Sequence, residues 1–137
     1  MIYLLSGGAG FIGSHTARKL LESSDNKVIV FDNLSSGTLD HISDLLNHNN
    51  FSFIQGDLKD KNEIVNSSVG VDCVIHFAAN PDIARAVKEP EIDFWEGTYL
   101  TQNVLEAARI NTIKFFLYTS GSGVYGENPN INFDEKY

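Results

Sequence analysis

The chain has 137 residues, 42% of them hydrophobic and 20% charged, which is ordinary for one globular domain with a hydrophobic core. Its 18 acidic and 10 basic residues give a formal charge of −8 without any basic cluster, so we expect no nucleic-acid or anionic-membrane partner. The single cysteine, Cys73, excludes a disulfide framework and a cysteine metal cluster, and without a signal peptide or a run of transmembrane length we expect a soluble, cytoplasmic protein.

Apolar runs with strand patterns alternate with stretches of helical spacing along the chain. Helical spacing begins at Phe11, returns over residues 38–48, and marks a long, mostly buried helix that begins near Pro90. Strands that are apolar on both faces and alternate with helices indicate an α/β fold, with a parallel sheet of about five strands and helices on each side. The predicted strands cover residues 2–6, 27–32, 51–57, 71–79 and 114–120.

The run SGGAGFIGSH follows the first predicted strand and opens the first predicted helix. Its spacing is G-x-x-G-x-x-G: Gly7 permits a tight turn, Gly10 lets backbone approach a pyrophosphate, and Gly13 lets helix and strand pack closely. The helix N-terminus adds N–H donors and the positive end of the helix dipole. The pattern predicts a dinucleotide site, and a glycine-rich turn without a ligand is the alternative.

The next two strands each end at an aspartate. Asp32 stands nineteen residues after Gly13, where a carboxylate accepts hydrogen bonds from the adenosine ribose and repels a 2′-phosphate, so NAD is favoured over NADP. Asp57 could bind the exocyclic amine of adenine while Leu58 covers the ring, although a turn aspartate is nearly as good an interpretation. These positions extend the predicted dinucleotide site along the edge of the sheet.

The fourth strand ends in HFAAN, where the small Ala78 and Ala79 leave room for a ribose or a nicotinamide. His76 lies in mid-strand and is predicted to be a core histidine with satisfied hydrogen bonds rather than a catalyst. Cys73 is predicted to be a small buried apolar residue, and Trp95 is predicted to lie in the core rather than on the cofactor.

The motifs SGGAGFIGSH, FDNLSSG, GDL, VIHFAAN, NVLEAAR and VYGE, in this order, resemble the extended short-chain dehydrogenase/reductase family. Within that family the chain is similar, over essentially its whole length, to NAD-dependent nucleotide-sugar epimerases and dehydratases of the UDP-glucose 4-epimerase type. The resemblance implies NAD as cofactor and a Rossmann-type three-layer fold, with residues 1–137 as an NAD-binding domain that lacks the later strands and the small substrate domain. The residues that it assigns to NAD, from pyrophosphate through ribose and adenine to nicotinamide, are Gly7, Gly10, Phe11, Ile12 and Gly13; Asp32, Asn33, Ser35, Ser36 and Gly37; Asp57 and Leu58; and Phe77, Ala78, Ala79 and Asn80.

The stretch TSGSGVYG departs from the family pattern. The resemblance implies a Ser or Thr three residues before the Val of VYG, where its hydroxyl bonds the sugar hydroxyl that is oxidised, but this chain has Gly121 there. Serines flank that position, and we predict that Ser122 takes the catalytic role, with Ser120 as the alternative. A third interpretation is that both serines only satisfy turn backbone.

The family's general base, the Tyr of Tyr-x-x-x-Lys, is missing, because no Tyr of this chain has a Lys four residues later. We therefore expect the chain to be the amino-terminal portion of a longer enzyme, and to bind NAD without catalysing a reaction by itself. The implied parent is a nucleotide-sugar 4-epimerase that transiently oxidises the sugar C4 and returns the hydride to the other face.

Alternatives remain open at this point. A dehydratase or reductase of the same family would share these motifs, although dehydratases usually carry Asp-Glu just before VYG and this chain has Ser122-Gly123. A non-catalytic NAD-binding module is the alternative from another class. An open edge of the sheet, where a further strand would sit, makes a homodimer a fair hypothesis.

Overall fold

The computed structural model describes residues 1–121 of the chain and contains one parallel five-stranded sheet. The strands are β1 (Ile2–Ser6), β2 (Lys27–Asp32), β3 (Phe51–Gln55), β4 (Cys73–His76) and β5 (Phe115–Tyr118). They lie in the order β3-β2-β1-β4-β5, which matches the first five positions of a doubly wound Rossmann sheet. The predicted α/β fold is confirmed, and the first two strands have the predicted bounds, whereas the other three are shorter than predicted.

Helices cover both faces of the sheet. One hydrophobic cluster joins Leu5 and Val30 of the sheet to Ala17 of the first helix, and the other joins Leu4 and Val74 to the last helix. Strand residues that alternate between two apolar cores explain why β1 reads as a continuous apolar run. The α-helices are α1 (Phe11–Leu21), α2 (Lys61–Ser67), α3 (Ile83–Lys88) and α4 (Tyr99–Ile110).

The predicted helix over residues 38–48 is wrong, since only Leu39–Ile42 forms a 3₁₀ helix and turns follow it. Thr38 caps this turn by accepting from the Asp40 N–H, and the Ser43 hydroxyl donates to the Asp40 carbonyl. Asp, Ser and Asn side chains that bond nearby backbone compete with a regular α-helix. The result is a short segment that reaches back to the first helix.

The predicted long helix is present and begins at Ile92, two residues after Pro90. A π-helix over Phe94–Thr98 leads directly into α4, and the shorter α3 precedes it. Trp95 lies on this π-helix with 47% of its surface exposed, in edge-to-face contact with Phe94 and Tyr99. The prediction that Trp95 lies in the core is therefore wrong.

The order of the strands reverses at β1. The chain runs outward from β1 through β2 to β3 and then crosses to β4 on the other side of β1. Parallel sheets of this kind bind ligands in the crevice that this reversal opens beyond the carboxyl ends of the strands. Within residues 1–121, no helix is long and apolar enough to cross a bilayer.

Candidate functional site

A cleft of about 330 Å³ lies beyond the carboxyl ends of β1 to β4. It brings together every residue that the sequence assigns to NAD except Asn80. A volume of this size falls within the range of small-molecule sites. The predicted residues that line it are Gly7, Gly10, Phe11, Ile12, Gly13, Asp32, Asn33, Ser35, Ser36, Gly37, Asp57, Leu58, Phe77, Ala78 and Ala79.

The glycine-rich loop between β1 and α1 forms the floor of the cleft. Gly7 has a φ of +73°, and a Cβ there would lie 2.7 Å from the Ala78 nitrogen, so only glycine fits between the two strands. The N-cap of α1, Gly10, makes no side-chain hydrogen bond, and no acidic residue lies in the first turn. The first N–H groups of a helix have no intrahelical partner, so this helix end can receive an anion from the cleft.

Asp32 ends β2 and is buried, with 8% of its surface exposed. Its Oδ2 accepts from the Ala9 N–H at 2.9 Å, and its Oδ1 accepts from the Leu34 N–H at 2.8 Å. Leu34 has a φ of +61°, a left-handed conformation that few residues with a Cβ adopt. The carboxylate thus joins the glycine-rich loop to the loop after β2 while it lines the cleft.

Replacement of Asp32 by Ala should weaken NAD⁺ binding and lower stability together. Two N–H groups would lose their acceptor in a buried site, which costs roughly 2 kcal/mol or more. We expect Asp57→Ala, in the loop after β3, to cost less stability, because the bond that its carboxylate accepts from the Lys59 N–H is exposed. Calorimetric NAD⁺ titration and urea unfolding of both variants check this, and an Asp32→Ala variant as stable as wild type would contradict it.

The loop after β3 forms the second wall. Asp57 accepts from the Lys59 N–H at 2.9 Å through Oδ1, while its own N–H donates to Glu63 at 2.9 Å. Leu58 is buried in the core, and its carbonyl accepts from the Asn103 side chain of α4 at 2.8 Å. Both residues reach the cleft from a loop that α2 and α4 hold in place.

The exit of β4 is bound to β1. The Ser6 carbonyl accepts from both the Phe77 N–H at 2.8 Å and the Ala78 N–H at 3.1 Å. Asn80 lies beyond this point and turns away, because its side-chain amide donates to the Asp82 carbonyl and to the Asp93 carboxylate, each at 3.0 Å. A role for Asn80 in holding the nicotinamide half stays a prediction.

His76 is the central member of a buried chain of hydrogen bonds. The Thr101 hydroxyl donates to the Gly97 carbonyl at 2.9 Å, so it must accept from His76 Nε2–H at 3.0 Å. His76 Nδ1 is then the acceptor for the Ser6 hydroxyl at 2.6 Å. Burial lowers the pKa of His76 from 6.5 to about 4. The prediction of a core histidine with satisfied hydrogen bonds is confirmed.

The serine stretch lies at the end of β5. Thr119 lines the cleft and donates its N–H to the His76 carbonyl at 3.3 Å, whereas Ser120 is exposed and does not line it. Ser122, the predicted catalytic residue, lies outside the described residues. Cys73 is buried as predicted, and burial raises the pKa of its thiol.

Sequence reasoning missed several lining residues. Glu96 comes from the π-helix Phe94–Thr98, Leu100 comes from α4, and Thr119 directly follows β5. Glu96 carries the only ion pair that the described residues make at the cleft, with Lys59, and no Lys or Arg lines the cleft itself. These three residues reach the cleft only through contacts between elements that are distant in sequence. For Thr119, its position just after a predicted strand could have indicated a lining residue. The other missed residues are Phe31, Gly56 and Pro81.

Residues 3–137 match the model of the NAD dependent epimerase/dehydratase family. The chain belongs to this family. It is 35% identical over 98% of its length to the low-salt glycan biosynthesis protein Agl12 of Haloferax volcanii, and 36% identical over 98% to a UDP-glucose 4-epimerase of Halalkalibacterium halodurans. It spans 44% and 39% of those two proteins, less than half of each.

A solved relative of the epimerase/dehydratase family shows the same fold with the cofactor. The dTDP-glucose 4,6-dehydratase DesIV of Streptomyces venezuelae, crystallised as a double mutant with NAD bound, superposes with a TM-score of 0.88 at 29% identity. The match covers 99% of this chain and 44% of DesIV. The cofactor of the family is NAD, as the motifs implied.

The cleft of this chain fits a dinucleotide of that kind. The backbone of Gly7 lies so close to Ala78 that no side chain can fill the floor, and an uncapped helix end faces the same space. No Lys or Arg among residues 1–121 lines the cleft, so the groups there that suit phosphates are N–H donors and the positive end of the helix dipole.

Proposed function

We propose that residues 1–137 form the NAD-binding domain of a nucleotide-sugar 4-epimerase of the UDP-glucose/UDP-galactose type. The observation that carries the proposal is the cleft, in which the glycine-rich loop, Asp32 and Asp57 meet at the reversal of strand order. Membership of the epimerase/dehydratase family and the similarity to UDP-glucose 4-epimerases support it. The protein would act in the cytoplasm on a nucleotide-sugar.

Each wall of the cleft is proposed to bind a different part of NAD. Backbone N–H groups at the start of α1 hold the pyrophosphate, Asp32 receives the adenosine ribose, and Asp57 with Leu58 bounds the adenine. Ala78 and Ala79 leave room beside β4 for the nicotinamide half. Bound NAD supplies the acceptor for the hydride from the sugar C4.

We assign the partner of the sugar hydroxyl to Ser122, with Ser120 as the alternative. Thr119 supports this assignment, because it directly follows β5 and lines the cleft.

Two other activities remain as candidates. The similarity to a dTDP-glucose 4,6-dehydratase favours a dehydratase that uses the same cofactor site. A non-catalytic NAD-binding module would share the cofactor site and is the candidate from another class. A homodimer through the outer edge of β5 stays a hypothesis; half-exposed Phe115 and Leu117 lie on that strand.

The test compares the 137-residue chain with the product of the complete reading frame. We expect both to bind one NAD⁺ per chain in calorimetric titrations, with NADP⁺ weaker because Asp32 repels a 2′-phosphate. Only the complete product should convert UDP-galactose to UDP-glucose, and chromatography that separates the two nucleotide-sugars measures this conversion. Failure of both to bind NAD⁺ would refute the cofactor site.

The remaining outcomes separate the candidates. Release of a 4-keto-6-deoxy sugar from dTDP-glucose by the complete product would indicate a dehydratase. A reading frame that stops after Tyr137, with NAD⁺ bound and no turnover, would support the non-catalytic module.

A further inference from the structure

His41, a residue outside the cleft, contacts the glycine-rich loop. It lies on the 3₁₀ helix Leu39–Ile42 and is half-buried, with its Nδ1 2.9 Å from the Ala9 carbonyl oxygen. We propose that His41 is a positioning residue of the NAD site, which holds the Ala9 carbonyl and so fixes the backbone that meets the pyrophosphate. This inference rests on the proposed function of the cleft.

Ala9 is the point at which the two loops of the site are joined. It is fully buried between Gly8 and Gly10, and its N–H donates to Asp32 Oδ2 at 2.9 Å. Its carbonyl accepts from both His41 Nδ1 and the Thr38 N–H, the latter at 3.2 Å. Because the backbone polar groups of Ala9 are bonded to the last residue of β2 and to the segment after it, the glycine-rich loop and the loop after β2 must move together.

His41 is itself held in position by α1. Arg18 of that helix donates from Nη2 to the His41 carbonyl at 2.6 Å. The same guanidinium makes two bonds to Asp44, from Nε at 2.8 Å and from Nη2 at 2.6 Å. Ile42, the next residue, is fully buried in the core. These contacts hold the His41 backbone in place, and from there its ring reaches the Ala9 carbonyl.

The contact requires one tautomer of the ring. A carbonyl oxygen carries no proton, so His41 Nδ1 must be protonated whether the ring is neutral or charged. His76 has the opposite requirement, since its Nδ1 accepts from the Ser6 hydroxyl. The two histidines therefore differ in a property that can be measured in the wild-type chain.

Variants of His41 test the effect on the cofactor. His41→Leu keeps a bulky side chain but has no donor, whereas His41→Asn places an N–H donor as many bonds from Cβ as Nδ1. We expect NAD⁺ affinity to fall roughly tenfold in His41→Leu and to stay within about threefold of wild type in His41→Asn, because a preformed loop saves ordering cost on binding. His48→Leu is the control, since His48 is exposed and does not line the cleft.

Calorimetric titration with NAD⁺ and thermal unfolding of each variant distinguish positioning from general stability. Wild-type affinity in His41→Leu would overturn the inference, as would a loss in His41→Asn as large as in His41→Leu at equal thermal stability. If His41→Leu does not fold, ¹⁵N-histidine NMR of the wild-type chain at pH 8 decides. A His41 ring without a proton on Nδ1 would refute the contact, and this result is independent of whether the chain binds NAD⁺.

Discussion

Gly13→Ala is expected to abolish measurable NAD⁺ binding by the chain and to destabilise it by roughly 3 kcal/mol. A Cβ on Gly13 would lie 2.6 Å from the Gly8 Cα and 2.7 Å from the Gly7 carbonyl oxygen. Both contacts are with backbone, so no side chain can rotate to relieve them. Either α1 moves away from β1 or the glycine-rich loop changes shape, and both displace the helix end that faces the cleft.

Gly97→Ala is the matched control, because it makes the same substitution where there is space. A Cβ on Gly97, in the π-helix before α4, meets no atom within 4 Å. Ala in place of a helical Gly reduces the freedom of the unfolded chain and adds up to about 1 kcal/mol of stability. Urea unfolding and NAD⁺ titration of both variants make the comparison. NAD⁺ affinity near that of wild type in Gly13→Ala would show that close packing of α1 on β1 is not required.

The second large effect is a loss of stability below pH 6.5 that comes from His76. Burial depresses its folded-state pKa from 6.5 to about 4, so between these values the unfolded chain binds a proton that the folded chain does not. The contribution of neutral His76 to the free energy of unfolding is therefore fully present above about pH 6.5, and it is lost as the pH falls towards 4. Over this pH range the protonation of His76 lowers the free energy of unfolding by about 3 kcal/mol, at 1.36 kcal/mol per pKa unit.

His76→Gln separates this contribution from that of the carboxylates. Gln keeps a donor for Thr101 but does not titrate, so the variant should be less stable at pH 7 and lose less stability between pH 6.5 and 4. Asp44 and Glu106, whose pKa values their arginine partners lower, remain in both proteins and cancel in the comparison. The measurement is urea unfolding at half-unit pH steps, and parallel curves for the two proteins would contradict the assignment.

Much of the site was readable from local patterns. The glycines after β1 and the aspartate at the end of β2, which were predicted to hold NAD, line the cleft. Local sequence points to such positions because a turn with φ above zero and a strand end each require particular residues. The bounds of β1 and β2 were also predicted correctly from local sequence. Both are central strands that are buried on two faces, so their apolar runs are unbroken.

The elements that were mispredicted depend on contacts across the chain. The segment 38–48 has helical spacing, but short polar side chains and the Arg18 bonds hold it as a 3₁₀ turn against α1. Trp95 has an apolar helical position yet lies on the surface, on a π-helix that has no buried residue. Asn80 is a different case, because its role at the nicotinamide half stays a prediction: its side chain donates to Asp82 and Asp93 and does not line the cleft.

The sequence by itself determined the fold class, the cofactor and the residues at the strand ends, since each is encoded within a few neighbouring positions. Only the tertiary structure decided that Glu96, Leu100 and Thr119 join the cleft and that His41 holds Ala9. His41 and Ala9 are 32 residues apart in sequence. Their contact exists because β1 and β2 lie side by side, which brings the loops that follow the two strands together at the same edge of the sheet.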